Sequence, residues 1–367
     1  MNKQFKKIFA GTATAKTFGF LREALFLVYL SDNILYSEIL SLLVISSFVM
    51  SLSDSSFLNP VFYPIWKQNN NEKVVFNANH LSLIILFSFS FFLFNEITLK
   101  LDQPLYVKLI CSVLWVPLVL HGIGYSSLLY RKQFVKYNLM LNIIAFAFLA
   151  SFWILKDFGP ESYIISRGLS VILGAVIVLL FCKGNFSIEY KFRPPDYSNT
   201  LMLLIRFLNV NSFIICVFII RFVVSQIFIV EVAKLNYALV IVFIFYTLIN
   251  KNLNALTIIE KKQSQLRARK IQIQFMSIFI FILILSLLIL NSLPPQQFPY
   301  IDMVLISEII KTAICFIPCI LLCGTSDLYN SEKILQSSTS FQRKNLVVIF
   351  VSAIGFLIPF YLLNAQT

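Results

Sequence analysis

About eleven stretches of roughly twenty residues, each almost free of charge, follow one another along the 367-residue chain with short polar segments between them. A water-soluble domain has no place for so many. A bilayer's hydrocarbon core is about 30 Å thick, so a helix needs about 20 residues to cross it, and a helix satisfies its own backbone where there is no water. The expected fold class is therefore all-α, a polytopic membrane protein of about 11 transmembrane helices. The spans fall at 8–30, 34–57, 75–94, 105–130, 137–155, 163–182, 200–222, 235–257, 271–291, 303–324 and 345–363. Only 13% of the residues are charged and 58% are hydrophobic. A soluble domain has about a quarter and about a half, so no room remains here for a sizeable soluble domain.

The charges that remain test the count. A formal net charge of +13 would suggest nucleic acid if the positives formed one exposed patch. They lie instead in short clusters between apolar runs. With the amino terminus cytoplasmic, the inner segments hold twenty Lys and Arg, from Lys3, Lys6 and Lys7 through Arg131, Lys132 and Lys136 to Arg343 and Lys344. The outer loops hold chiefly Lys100, Lys108 and Lys156, beside acids such as Asp102, Asp157, Glu161 and Asp302. Basic residues concentrate on the cytoplasmic side of membrane proteins, and a miscounted span would scramble the alternation. Eleven helices follow, with the carboxyl terminus outside. The basic start, Met1 to Lys7, precedes an apolar stretch as in a signal peptide, but that stretch carries charge and no small-residue cleavage pattern follows. It reads as a retained first helix.

The connection 183–199, with Arg193-Pro194-Pro195, follows six spans and divides the chain. The division expected is an amino-terminal six-helix lobe, 1–183, a cytoplasmic inter-lobe loop, 184–199, and a carboxyl-terminal lobe of about five helices, 200–367. The other long inner connection, Ile258 to Lys270, is basic enough to rest on an anionic leaflet, or to be an ordinary solvated charge run.

The functional signal is charge inside the spans, where an ionised side chain costs about 2.5 to 3.5 kcal/mol on insertion scales. Arg167, Arg206 and Arg221 stand near span ends, where a long side chain can reach headgroups. Lys16, Arg22 and Glu23 stand in the middle half of the first span, and Lys311 near the middle of the tenth, one turn after Glu308. Lys16 and Glu23, seven apart, share a face, and Arg22 points about 100° round from Glu23. So broad a polar arc lines something polar, with Glu38 and Asp54 of the second span its nearest acidic neighbours in sequence. A purely structural ion-pair network is the alternative. Cations outnumber acids at this depth, which implies an anionic guest such as phosphate or diphosphate.

Other patterns are weak. Cys315, Cys319 and Cys323 repeat at four-residue spacing, as small residues at a helix contact do and as metal or redox ligands also could. His121, beside Gly122 and Gly124, is a packing residue or a proton carrier. No disulfide framework, zinc spacing, nucleotide-binding glycine loop, nucleophile elbow or metal-binding helix motif is present. No catalytic residue, metal or cofactor is expected, and the chain is not read as an enzyme.

The stretch Ala15-Lys16-Thr17-Phe18-Gly19-Phe20-Leu21-Arg22-Glu23-Ala24 resembles the first helix of the MurJ/MviN-like branch of the multidrug/oligosaccharidyl-lipid/polysaccharide (MOP) flippases, Ser-Arg-x-x-Gly-Phe-x-Arg-Asp. Tyr36-Ser37-Glu38 stands where that family has an acid early in the second helix. Phe57 to Pro64 resembles its Phe-Ser-Gln-x-Phe-x-Pro ending, and Leu235-Asn236-Tyr237-Ala238 is similar to its Leu-Tyr-Tyr-Ala segment. Lys16 replaces an Arg, and Glu23 and Glu38 replace Asp, all keeping charge. The likeness is good over 8–66 and faint beyond.

The resemblance implies two lobes rocking about a central cavity in the bacterial cytoplasmic (inner) membrane. The cargo implied is a polyprenyl diphosphate-linked saccharide, flipped outward for O-antigen, capsule or exopolysaccharide assembly, as in Wzx-like relatives, with polysaccharide-assembly proteins as possible partners. Its site would comprise Lys16, Arg22, Glu23, Glu38, Arg206 and Lys311. Alternatives are a lipid II flippase, an integral-membrane polymerase or glycosyltransferase, a small-molecule exporter, and an assembly protein that transports nothing. Nucleic acid is not an expected partner; membrane lipid is.

Overall fold

The structure is a computed structural model and describes residues 3–30, 34–53, 74–77, 88–90, 92–93, 103–131, 133–182, 186–189, 205, 209, 211–246, 265–292, 302–334 and 343–364. The helices are α1 (Lys3–Leu30), α2 (Ile34–Ser53), α3 (Leu105–Val113), α4 (Trp115–Tyr130), α5 (Phe134–Leu155) and α6 (Glu161–Phe181). After them come α7 (Ser212–Ile227), α8 (Val232–Tyr246), α9 (Gln265–Ser292), α10 (Met303–Cys315), α11 (Ile317–Ile334) and α12 (Arg343–Asn364). Two short strands, β1 (Val74–Asn77) and β2 (Phe186–Glu189), pair in parallel. The protein is otherwise an all-α, polytopic membrane protein. Five described segments are long and apolar enough to cross a membrane: Val135–Phe158, Glu161–Phe181, Lys270–Leu290, Met303–Asp327 and Lys344–Asn364.

Prolines explain two of the breaks. Proline has no N–H and its ring clashes with the carbonyl four residues back. Pro117 accordingly divides one span into α3 and α4 at Leu114, and Pro318 divides another into α10 and α11 at Phe316. Both therefore read as single crossings.

Hydrogen bonds between helix ends sort those ends into two sets. At one end, Lys156 after α5 donates to the Tyr29 hydroxyl near the end of α1 (3.3 Å), Gln103 before α3 donates to Glu38 early in α2 (2.7 Å), and Lys234 of α8 meets Glu308 of α10 (2.6 Å). At the other end, Asp327 late in α11 receives the N–H of Ser212 at the start of α7 and the hydroxyl of Tyr246 at the end of α8. Asn345 near the start of α12 donates there to Asn209 (3.1 Å). The β1–β2 ribbon follows α2 and α6 and belongs to that second end. Every contact joins ends that an eleven-span alternation puts together.

Two boundaries are corrected. Residues 74–77 form a strand, so the third span does not begin at 75; an extended ribbon satisfies its backbone by pairing outside the helical layer. The helix α7 runs from Ser212 to Ile227, past the expected end of the seventh span at 222. Arg221 is consequently inside α7, six residues short of its last residue, and not at its edge.

α2 is buried on every side from Tyr36 to Val44 apart from Glu38. It packs against α4 and α3 on one flank and α7 and α8 on the other, while α1 reaches α8. One hydrophobic core runs through both sets of helices, from Phe26 and Leu40 to Phe316 and Phe360.

Candidate functional site on the first helix

One face of α1, with Gly11, Phe18, Arg22, Phe26 and Tyr29 three, four or seven residues apart, lies along α5. Neighbours three and four apart share a helical stripe. Gly11 faces Asn138, and Asn142 donates to its carbonyl (3.4 Å); a Cβ on Gly11 would lie 2.0 Å from Asn138 Cγ. Phe18 meets Phe146 edge-on at 5.9 Å, and Phe26 meets Phe152 at 4.3 Å. The contacts advance in the same direction on both helices, so α1 and α5 are parallel, as two odd-numbered spans must be.

Arg22 is half-buried on this stripe, with its guanidinium carbon 4.3 Å from the centre of the Phe148 ring and 5.6 Å from that of Phe26. Phe148, Phe26 and Tyr163 pack mutually with ring centres 4.9 to 5.9 Å apart. A cation over an aromatic face gains about 0.5 to 2 kcal/mol, more as water is removed. Arg22 stands eight residues before Leu30, about 12 Å along the axis from the helix end. It is a deep cation held partly by aromatic faces.

The neighbouring face carries Lys16, Gly19 and, by position, Glu23. Lys16 is half-buried, and among the described residues nothing lies within 4 Å of a Cβ built on Gly19. Among the described residues, then, the space beside α1 between the Lys16 and Glu23 positions is open. The exposed flank nearby carries Ala10, Thr14, Thr17 and Ala24 together with Phe20, Leu21 and Val28, and both threonine hydroxyls donate to carbonyls of their own helix. α9 likewise exposes Ile278, Phe281 and Leu288, side chains suited to acyl chains.

The other expected site residues are dispersed. The Glu38 carboxylate accepts from Gln103 at one end of the bundle. Lys311 is exposed on α10, and the Glu308 carboxylate one turn before it turns to Lys234 of α8. The side chain of Glu23, together with Arg206 and Asp54, lies outside the described residues.

Three features of the structure were not legible beforehand. Lys234 lies between Glu231 (2.7 Å) and Glu308 (2.6 Å); only the Glu231–Lys234 spacing of three hinted at it. Asp327, wholly buried, caps α7 by accepting from the N–H of Ser212 (2.7 Å) and of Phe213 (3.4 Å), with the Tyr246 hydroxyl as a third donor. It lies beyond the expected span end at 324, and α11 continues past it to Ile334. Phe148 gave no signal among the chain's 38 Phe. His121 is buried against α6, where Gly174 makes room for its ring. The thiols of Cys319 and Cys323 donate to Ser352, and among the described residues no group of three possible ligands could hold a metal.

No family model and no curated protein sequence matches the chain. Solved structures do. A MATE transporter in complex with MaD5 superposes with a TM-score of 0.57 at 14% identity, covering 99% of this chain and 97% of that one. The chain has the MATE fold. An outward-facing multidrug resistance MATE transporter of the MOP superfamily matches at 0.53 and 13% identity, over 99% and 96% of the two chains. A MOP superfamily transporter from Pyrococcus furiosus, whose binding pocket has reversed polarity, matches at 0.51 and 13% identity, over 97% and 94%. Two of these neighbours are described as transporters of the MOP superfamily, the group that the first helix resembles.

Proposed function

We propose that this protein is a flippase that carries a polyprenyl diphosphate-linked saccharide from the inner to the outer leaflet of a bacterial cytoplasmic membrane, with its amino terminus cytoplasmic. The observation that carries the reading is Arg22, a cation about 12 Å inside α1 resting on Phe148, next to a helix face with Lys16 and open space at Gly19. The first-helix motif and the MATE fold add to it.

In this mechanism the lobes 1–183 and 200–367, joined by 184–199, rock about the site, alternately open to each side. A diphosphate offers oxygens in the plane that a guanidinium fork prefers, and such charge-assisted bonds are stronger than a stacking contact. Arg22 would exchange Phe148 for diphosphate, with Lys16 as a second cation. Glu23 and Glu38 would attract the cations back on release, and Arg206 and Lys311 would receive the anion along its path. No covalent step is needed. An inside-negative potential supplies about 2.3 kcal/mol per charge per 100 mV, so about 4 to 5 kcal/mol for roughly two charges moving outward.

A second reading, export of small molecules, is favoured by the neighbour described as a multidrug resistance transporter. Liposomes containing only this protein separate the two. Movement of a fluorescent polyprenyl diphosphate sugar between leaflets, without efflux of cationic dyes, supports the flippase; dye efflux with no lipid movement supports the exporter.

A further inference from the structure

The turn between α7 and α8, residues 228–231, is where the two halves of the chain meet at one end of the bundle. Ser37 of α2 directs its hydroxyl to the Val230 carbonyl (3.5 Å), and the Tyr36 ring lies 6.3 Å from that of Tyr237 in α8. Within the turn, Phe228 packs its ring against those of Phe360 and Tyr361 of α12 (6.2 and 6.0 Å), while Val230 is 61% exposed. What ties the turn to α10 is charge. The Lys234 ammonium bonds Glu231 within the turn and Glu308 on α10, spanning 74 positions, and all three are partly buried.

We propose that Lys234 is a brace that keeps this end of the bundle closed, by pinning the 228–231 turn to α10 so that Val230 and Tyr237 bear on α2. Removal of the ammonium leaves two carboxylates that it now holds within hydrogen-bond reach. Like charges so close repel, and Glu231 moves away from Glu308. The turn moves with Glu231, and the α2 contact at Ser37 goes with it. The ion triad is then the polar latch on an end otherwise held by packing of α2 on α7 and α8 and of Phe228 on α12, a latch of the kind that alternating access requires to be breakable. The proposal shares the two-lobe motion of the flippase reading but needs no substrate.

The test uses the full chain in detergent, with its six buried cysteines replaced by alanine and a reporter S41C on α2. Ser41 is 1% exposed, one turn deeper than Ser37. A water-soluble maleimide should label S41C slowly in the braced protein. K234M should raise the labelling rate about tenfold, equivalent to a tenfold shift toward the open form, and K234R should restore the slow rate. If K234M does not elute as a monodisperse protein, E308Q replaces it, with a smaller rise expected because Glu231 still holds the ammonium. An unchanged rate in the folded variant overturns the proposal, as does a rise that K234R fails to reverse. A rise in labelling by a protein that moves no lipid-linked sugar would sink the flippase reading and leave the brace standing.

Discussion

The carboxylate of Asp327 on α11 accepts the backbone N–H of Ser212 at 2.7 Å, 115 positions away in sequence, and so caps the amino terminus of α7. The first N–H groups of a helix have no partner inside it, and the helix dipole favours an anion there. A wholly buried carboxylate is tolerable under those conditions, with Phe213 N–H and Tyr246 completing the donor set. D327A leaves these donors without an acceptor and should cost about 2 to 4 kcal/mol. Y246F removes one donor to a charged group and should cost about 1.5 to 3 kcal/mol. Thermal denaturation of purified protein reads both, and a melting temperature unchanged in D327A would refute the capping role.

Gly11 and Gly19, two turns apart on α1, should respond oppositely to alanine. A Cβ at Gly11 falls 2.0 Å from Asn138 Cγ, so G11A forces α1 and α5 apart or displaces Asn138, at about 1 to 3 kcal/mol. At Gly19 the space is open, and alanine in a helix gains up to about 1 kcal/mol over glycine. G19A should fold at least as stably as the parent protein, whereas G19W, filling the space, should fold and lose transport. A G19W variant with full transport would show that the space takes no substrate.

The alternation of ends predicts sidedness. With a membrane-impermeant maleimide on intact cells and native cysteines replaced, D157C should label directly. K344C should label only after the membrane is permeabilised. Both positions are exposed. Labelling of both from one side would contradict the eleven-span topology.

How much of this was legible beforehand follows from which forces act locally. The spans were readable because lipid demands long apolar runs and loop charge marks sidedness; α5, α6, α9 and α12 fall within a few residues of expectation. The two proline breaks, at Leu114 and Phe316, each leave a crossing intact, so the twelve described helices remain compatible with the expected alternation. Partners across helices were not readable. Glu308 is one turn from Lys311 in sequence yet bonds Lys234, and Glu38 bonds Gln103, because tertiary packing chooses among faces that sequence leaves equivalent. Asp327 was missed because an acid after an apolar run reads as loop, and only the arrival of the α7 amino terminus makes burial affordable. The depth of Arg22 was evident; its rest on Phe148 was not, since one phenylalanine among 38 carries no mark.

Phe148 should matter to Arg22 beyond packing. F148L keeps an apolar side chain but loses the aromatic face, a change of about 0.5 to 2 kcal/mol for the cation, whereas F148W retains it. Both variants should fold. F148L alone should shift the substrate concentration giving half-maximal transport, and equal transport by the two would remove Phe148 from the mechanism.

The central claim is that cations deep in α1 hold an anion during transport. The most direct measurement is the rate at which a fluorescent polyprenyl diphosphate sugar crosses liposomes containing only the wild-type protein or its R22E variant, with insertion checked by the melting curve of each. The account predicts rapid crossing for wild type and, for a stably inserted R22E, a rate no faster than protein-free liposomes. Equal rates for the two proteins would contradict it.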